Sequence, residues 1–353
     1  MQADQEGHLP PHSPPTLPNE IKDQIINYLD TTADVLTLLR VNSEFREIGE
    51  KILYRDISFD CKSLSQDCPC IGCLRTIRSR PAAAAAVRSF EVFIPRPTAT
   101  CLEEYYQTFP YMASLGELVM QSMHSEDVWI FEGVAFPNLK YYRGPPTALS
   151  RISNLGSLWA LKVSDYAIDT PTLLEVVIPL TATHGDTMVH LSLQLKDDEW
   201  RDHMMEIAQG FPNLTTLSIE VPEEIEEDDL TAICDSIPHL TSLKSLRILP
   251  QYSPALPEER SMVRRIYLSA PHVQCIALGI ADEGWRFVDG KDIWITRVGR
   301  RFDVLRMEDA GDEPARQPPW RDLTMLQDFD EMQKIWDGSL SVVKHGLPST
   351  WGG

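Results

Sequence analysis

The sequence predicts an α+β or α/β protein in which a small helical module precedes a larger domain of repeated strands and helices. Residues 17–59 contain three short apolar patterns at helical spacing, and from about residue 84 a short apolar strand pattern returns at steps of 19 to 30 residues. The 353 residues leave room for one small unit and one large domain, and the apolar fraction of 43% is enough for a sizeable core.

The first unit is expected to need a partner. Ile21, Ile25, Tyr28 and Leu29 recur at helical spacing, and Pro18 suits a first helical turn, where a missing N–H costs little. Two more apolar patterns follow, from Val35 to Leu39 and from Phe45 to Leu53. A unit of 43 residues buries too little surface to cover all of its 19 apolar groups. Part of this surface should therefore contact another protein.

An ordered string of residues in this unit resembles the F-box: Leu17-Pro18, Glu20-Ile21, Ile25, Leu29, Asp34 to Leu36, Val41, Phe45 and Leu53-Tyr54. The resemblance implies a three-helix docking module over residues 17–60 that binds the Skp adaptor of a cullin-RING ubiquitin ligase. Phe45 and Tyr54 depart from the family, because many members carry Trp there. The alternative is an ordinary helical hairpin at the start of a globular domain. The residues expected to contact the Skp adaptor are Leu17, Pro18, Ile21, Ile25, Leu39, Val41 and Leu53.

The rest of the chain repeats a helical segment, often a proline, and a strand of the form L-x-x-L-x-L. The second apolar positions of the eight strands are Phe90, Leu118, Tyr142, Leu161, Leu191, Leu217, Leu246 and Ile276. This resembles the irregular leucine-rich repeats that follow F-boxes in many fungal proteins, and it predicts a leucine-rich-repeat-like solenoid over residues 84–300. The alternative is a globular α/β domain with coincidental spacing, since one step is only 19 residues and the asparagine of strict repeats is missing.

Composition and proline positions predict the remaining segments. Intervening helices are expected at Thr172–Ile178, Trp200–Ala208, Asp228–Asp235 and Glu258–Leu268. The acidic run from Glu223 to Asp229 should supply the first turn of the third of these. Residues 1–16 are expected to be disordered, 61–83 to form a Cys-rich connector, and 301–353 to form a C-terminal cap and tail with a helix from Leu323 to Trp336.

In a solenoid, alternate strand residues face outward on the sheet and present a binding surface. This predicts that Lys162, Ser192, Gln194, Ser218, Arg247 and Ala277 lie on that face. Gln194, Ser218 and Arg247 are expected to form a row that binds a substrate protein. Arg247 is the expected anchor, because arginine is enriched at binding hot spots and forks onto carboxylates.

The chemistry-bearing residues do not predict an enzyme. Cys61, Cys68, Cys70 and Cys73 lie within 13 residues, and they are either a zinc knuckle or, as the irregular spacing favours, a reduced Cys-rich loop. The sequence contains no G-x-S-x-G, G-x-G-x-x-G, Walker or H-E-x-x-H motif. His190 and His203 are expected at the surface or at repeat edges. Trp200, Trp285, Trp294 and Trp320 are expected in the core or in caps rather than as interface anchors. No metal and no cofactor are therefore expected.

Charge and hydropathy exclude other partner classes. The net charge of −20 should repel a nucleic-acid backbone, and no run of 18 apolar residues predicts a membrane span. The Pro-rich segment from Met1 to Thr16 lacks the apolar core of a signal peptide, so the seven cysteines suggest a reducing compartment, cytoplasmic or nuclear.

These expectations combine into one function. The chain would be a non-catalytic substrate adaptor of a Skp–cullin–F-box ubiquitin ligase, binding the Skp adaptor through residues 17–60 and an unknown substrate protein through the repeats. The alternative is a Skp-binding scaffold without ubiquitin-ligase output. A metal-dependent or thiol enzyme built on Cys61 to Cys73 is disfavoured, because no acid/base partner or cofactor loop accompanies the cysteines.

Overall fold

The computed structural model describes residues 17–29, 32–60, 69–93, 97–121, 123, 125–196, 200–250, 256–278, 283–288, 291–298 and 301–306. The chain divides into two units after Leu53. The predicted disorder of residues 1–16, the thiols Cys61 and Cys68, and the predicted helix from Leu323 to Trp336 lie outside the described residues.

The first unit consists of three short helices: α1 (Asn19–Asn27), α2 (Thr32–Leu38) and α3 (Ser43–Leu53). Lys22 on α1 forms an ion pair of 2.6 Å with Glu44 on α3. Asn42 caps α3, since its side-chain oxygen accepts a hydrogen bond of 2.9 Å from the backbone N–H of Phe45. Val35 and Phe45 are buried, so the unit closes a small apolar core.

The second unit is built on one sheet of twelve strands that follow chain order. Strands β1 to β9 are parallel throughout, and β10 to β12 continue the sheet as an antiparallel meander. The strands are β1 (Asp56–Asp60), β2 (Ser89–Phe93), β3 (Glu117–Gln121), β4 (Tyr141–Arg143), β5 (Ala160–Ile168), β6 (His190–Leu195), β7 (Thr216–Val221), β8 (Ser245–Pro250), β9 (Cys275–Leu278), β10 (Glu283–Val288), β11 (Lys291–Val298) and β12 (Arg301–Arg306).

Helical crossovers connect the parallel strands, as parallel pairing requires. The α-helices are α4 (Pro69–Ser79), α5 (Pro81–Ala86), α6 (Ala99–Thr108), α7 (Pro146–Leu149), α8 (Thr170–Thr172), α9 (Ile178–His184), α10 (Trp200–Gly210), α11 (Glu227–Ser236) and α12 (Leu256–Ser269). Short 3-10 segments occur at Phe109–Tyr111, Ser125–Phe131 and Ile237–His239, and a π-helical segment at Leu173–Val177 joins α8 to α9. Successive helical segments from α4 to α12 contact one another along the sheet.

The core lies between the sheet and these helices. Hydrogen-bond register places one apolar residue of each parallel strand at the same level: Ile57, Phe90, Leu118, Tyr142, Leu161, Leu191, Leu217, Leu246 and Ile276. All nine are buried. Phe109 packs edge-on against Phe90 with 5.9 Å between ring centroids and stacks on Phe131 at 5.2 Å, so aromatic rings form part of the core.

The predicted fold class, a three-helix F-box module followed by a leucine-rich-repeat solenoid, is wrong. The protein is an α/β fold in which nine consecutive strands of the sheet, β1 to β9, are parallel. Residues 56–60, which the F-box prediction included, form β1 of this sheet and pair with β2. The repeated pattern does not distinguish a solenoid from this fold. In any parallel sheet with helical crossovers, a new strand with a buried apolar face begins a few tens of residues after the previous one.

Several local predictions are confirmed. Helices occur at each of the four predicted intervening segments, and the predicted strand positions from Phe90 to Ile276 lie in strands. The acidic run supplies the first turn of α11, where Asp229 accepts a hydrogen bond from the backbone N–H of Glu226 at 2.9 Å. Trp200 is buried in the core. The connector predicted over residues 61–83 instead contains α4 and the start of α5.

Leu217→Asp should destabilise the second unit by more than about 3 kcal/mol, because it places an unpaired charge at a fully buried position. Urea denaturation of the full chain, followed by circular dichroism, measures the change. Thr241→Asp introduces the same carboxylate at an exposed turn residue and should leave the transition near that of the wild type. A wild-type midpoint for Leu217→Asp would contradict the described core.

Candidate functional site

The first candidate interaction surface lies on the N-terminal unit. Leu17 is 47% exposed, Ile21 is 40% exposed and Val41 is 62% exposed. Pro18 is also exposed, while Ile25, Leu39 and Leu53 are half-buried. The predicted Skp-contact residues are thus all at least partly accessible, in contrast to the buried core pair of this unit.

Tyr28 was missed as a surface residue. Its spacing placed it in the apolar stripe of the first helical pattern, but it was not among the expected contact residues. Its side chain is 83% exposed just beyond α1, and its backbone N–H still donates to the carbonyl oxygen of Gln24 at 3.2 Å. Tyr28 is therefore a further exposed apolar side chain of the first unit.

The second candidate surface is the face of the sheet opposite the buried apolar row. Lys162, Ser192, Ser218, Arg247 and Ala277, which were predicted to face outward, occupy one level on adjacent strands, and Ser192, Ser218 and Ala277 are buried there. Gln194 does not belong to this level, because the register pairs Ser192 with Ser218 and pairs Gln194 with Glu220. The predicted row of Gln194, Ser218 and Arg247 is therefore not formed.

Gln194, Ser218 and Arg247 also differ in the exposure of their side chains. Ser218 is only 2% exposed, whereas Gln194 and Arg247 are half-buried. The sequence could not show this, since exposure on a sheet depends on the side chains of adjacent strands. Their contact with a substrate stays a prediction.

At the next level of the same face, two buried side-chain atoms have no hydrogen-bond partner among the described residues. They are Oε2 of Glu117 and Nδ1 of His190. Burial raises the pKa of Glu117, with a smaller contribution from the charge of Asp56, and a hydrogen bond with Ser89 opposes the shift. Burial lowers the pKa of His190 to about 4, and its ring lies edge-on to Trp159 with 4.4 Å between centroids. His190 is therefore a neutral, half-buried ring, while His203 pairs with Glu206 at 3.1 Å.

His190→Gln should flatten the dependence of stability on pH between about 6.5 and 4. Because the folded-state pKa is about 4 and the ordinary value is 6.5, the unfolded state binds more protons in this window, and stability falls as the pH falls. The slope contributed by one group is at most about 1.4 kcal/mol per pH unit. Urea titrations across this range measure it. The exposed His239→Gln serves as the control, and equal slopes for His190→Gln and wild type would refute the assignment.

Three of the described cysteines, Cys70, Cys73 and Cys101, lie near one another, whereas Cys234 is on α11. Cys70 and Cys101 are buried with their Sγ atoms 3.9 Å apart, and Cys73 lies one turn along α4 from Cys70. Burial, followed by the proximity of Cys70, raises the pKa of Cys73 to about 12, so the thiolate that zinc requires is disfavoured. Among the residues that the structure describes, no group of three or more His, Cys, Asp and Glu side chains could hold a metal ion.

The purified full chain should contain no stoichiometric zinc by elemental analysis, and Cys70→Ser should not change its metal content. The physical reason is that a buried thiol with a raised pKa must lose a proton before it can bind zinc. One zinc per chain that disappears in Cys70→Ser would contradict this expectation and make the cysteine segment a structural metal site. Cys234→Ser, a half-buried cysteine on α11, is the matched control.

The fold and these surfaces define an α/β protein with two candidate interaction surfaces. Comparison with known proteins adds no family: no protein-family model matches the chain, and no curated protein matches its sequence. Of the helices in the described part of the chain, none combines the length and the apolar character needed to cross a membrane.

Proposed function

We propose that the protein is a non-catalytic adaptor that links two other proteins. Its first unit binds the Skp adaptor of a cullin-RING ubiquitin ligase, and its second unit binds a substrate protein. The observation that carries the proposal is the exposure of Leu17, Ile21, Tyr28 and Val41 on a unit whose own core already contains Val35 and Phe45. Apolar side chains left exposed on so small a unit favour a protein partner.

The identity of the first partner rests on the residue pattern. The string from Leu17 to Tyr54 resembles F-box sequences, whose members bind the Skp adaptor. The exposed residues Leu17, Ile21 and Val41 belong to that string, and Tyr28 does not. Leu17 and Pro18 directly precede α1, and both side chains are exposed. A partner that covers Leu17, Ile21 and Val41 would bury surface that water now contacts.

Leu17→Ala combined with Pro18→Ala should weaken capture of purified Skp adaptor by the full chain by about tenfold. Fully burying one leucine is worth about 1.5–3 kcal/mol, and about 1.4 kcal/mol is tenfold in affinity. Titration calorimetry gives the dissociation constants. The matched control is Leu268→Ala, which truncates a leucine that is 78% exposed on α12 of the second unit and should leave capture unchanged.

The result separates docking from loss of folding, because both positions of the double variant are exposed. Its urea transition should match that of the wild type while its affinity falls. Wild-type chain that fails to bind the Skp adaptor would refute the proposed partner. Undiminished binding by the double variant would place the contact elsewhere on the chain.

Ubiquitin-ligase output requires a second experiment in cells. Affinity purification with the proteasome blocked should recover a cullin together with the protein, and deletion of the protein should raise the level of a co-purified substrate. Recovery of the Skp adaptor without a cullin, and with no protein accumulating on deletion, would identify a scaffold instead.

A further inference from the structure

A continuous row of backbone hydrogen bonds fixes the residues that precede the parallel strands. The backbone carbonyl oxygen of each such residue accepts a hydrogen bond from the backbone N–H of the residue that precedes the next strand. For example, the oxygen of Lys140 accepts from Trp159 at 2.8 Å, and the oxygen of Lys244 accepts from Gln274 at 2.9 Å. We call these residues the edge row: Arg55, Arg88, Gly116, Lys140, Trp159, Val189, Thr215, Lys244 and Gln274. Their main chains are held about 4.8 Å apart along the N-terminal edge of the sheet.

The edge row is cationic in a strongly acidic protein. The whole chain contains 52 acidic and 32 basic residues, yet the row contains four cations and no acidic residue. Arg55, Arg88, Lys140 and Lys244 are all exposed. The described turns that lead into β3 to β9 contain one acidic residue, Asp186; these turns are residues 113–116, 138–140, 157–159, 186–189, 213–215, 241–244 and 272–274. Arg88, Lys140 and Lys244 therefore lie along one edge of the sheet, where Glu117 directly follows Gly116 of the row.

Two members of the row are held in place by contacts of their side chains. Nη1 of Arg88 donates hydrogen bonds to the carbonyl oxygens of Ala85 at 2.9 Å and Ser114 at 3.4 Å, which fixes the guanidinium over the edge. Trp159 remains 44% exposed, and its ring is held by the edge contact with His190. Arg55 differs, because Asp56 lies 3.9 Å from it and offsets its charge. The part of the edge row whose cations are not offset by such a carboxylate therefore runs from Arg88 to Lys244.

We propose that the edge row from Arg88 to Lys244 binds an extended acidic segment of a partner protein. Parallel strands about 4.8 Å apart place Lys140 about 10 Å and Lys244 about 29 Å from Arg88 along the row. A segment in the polyproline II conformation advances about 3.1 Å per residue with three residues per turn, so carboxylates three and nine residues beyond the first share its face and would meet these cations. The residue after the second carboxylate reaches Trp159, which favours an apolar side chain there.

Charge selects a protein segment over a nucleic acid. A polyanion extends well beyond three cations, and the chain, whose net charge is −20 as a whole, would repel its outer phosphates. A short acidic segment presents its carboxylates only at the row. This inference concerns the second unit alone and holds whether or not the first unit binds the Skp adaptor. If the adaptor function holds, the edge row defines the class of substrate segment.

The test uses the full chain and a fluorescein-labelled peptide of about ten residues. The peptide carries glutamates at its first, fourth and last positions, a phenylalanine at its fifth, and glycine or serine elsewhere. Fluorescence anisotropy should show saturable binding that weakens as the salt concentration rises, because exposed ion pairs are screened. A peptide with glutamine in place of each glutamate should bind at least about tenfold more weakly.

Arg88→Glu combined with Lys140→Glu should weaken binding of the acidic peptide by about tenfold or more, since two attractive contacts become repulsive. The matched control, Arg151→Glu with Lys196→Glu, changes the net charge equally at exposed cations outside the row and should bind as the wild type does. Arg88→Lys with Lys140→Arg keeps both charges and should bind within a few-fold of the wild type, with an unchanged urea transition.

Three outcomes would overturn the proposal. The first is equal binding of the glutamate and glutamine peptides, and the second is equal loss of binding in the charge-reversed pair and its matched control. The third is binding of a single-stranded thymidine oligomer of similar length as tightly as the acidic peptide, which would show a polyanion site. The affinity for purified Skp adaptor, measured on the same variants, should stay unchanged, so failure here is distinguishable from failure of the proposed function.

Discussion

The second unit depends on the parallel hydrogen-bond ladder that joins β1 to β9. Each strand pairs with the next without a change of order, so one buried residue per strand falls at a common level and contacts the helices. Because parallel pairing requires a crossover at every step, the same ladder fixes the positions of the helices and the turns. Both the apolar core and the cationic edge follow from this single constraint.

The ladder also determines which side chains of neighbouring strands lie at the same level. The parallel register gives each strand residue a partner on both sides, so the side chains of Ser192, Ser218 and Arg247 share one level. It likewise holds the edge-row backbone through bonds that do not involve the side chains. Side chains on the edge can therefore vary in charge without disturbing the core, which suits a surface that recognises a partner.

The first unit has a small core and many accessible apolar side chains. Val35 and Phe45 provide its buried core, the pair of Lys22 and Glu44 connects α1 with α3, and most of its remaining large apolar side chains are half-buried or exposed. A unit with so little interior gains little stability from its own packing. Binding a partner would bury the exposed apolar side chains, and this gain links the proposed docking function to the stability of the unit.

Sequence by itself determined the local elements: the apolar periods marked the strands from Phe90 to Ile276, the prolines marked the turns, and the acidic run marked the start of α11. Those signals are local because they arise from side-chain spacing and backbone restriction. Only the tertiary structure decided that β1 joins the sheet, that β10 to β12 turn antiparallel, that Gln194 leaves the row of Ser218, and that Arg88 and Lys140 share an edge. These depend on hydrogen-bond register between distant segments, which no local pattern encodes.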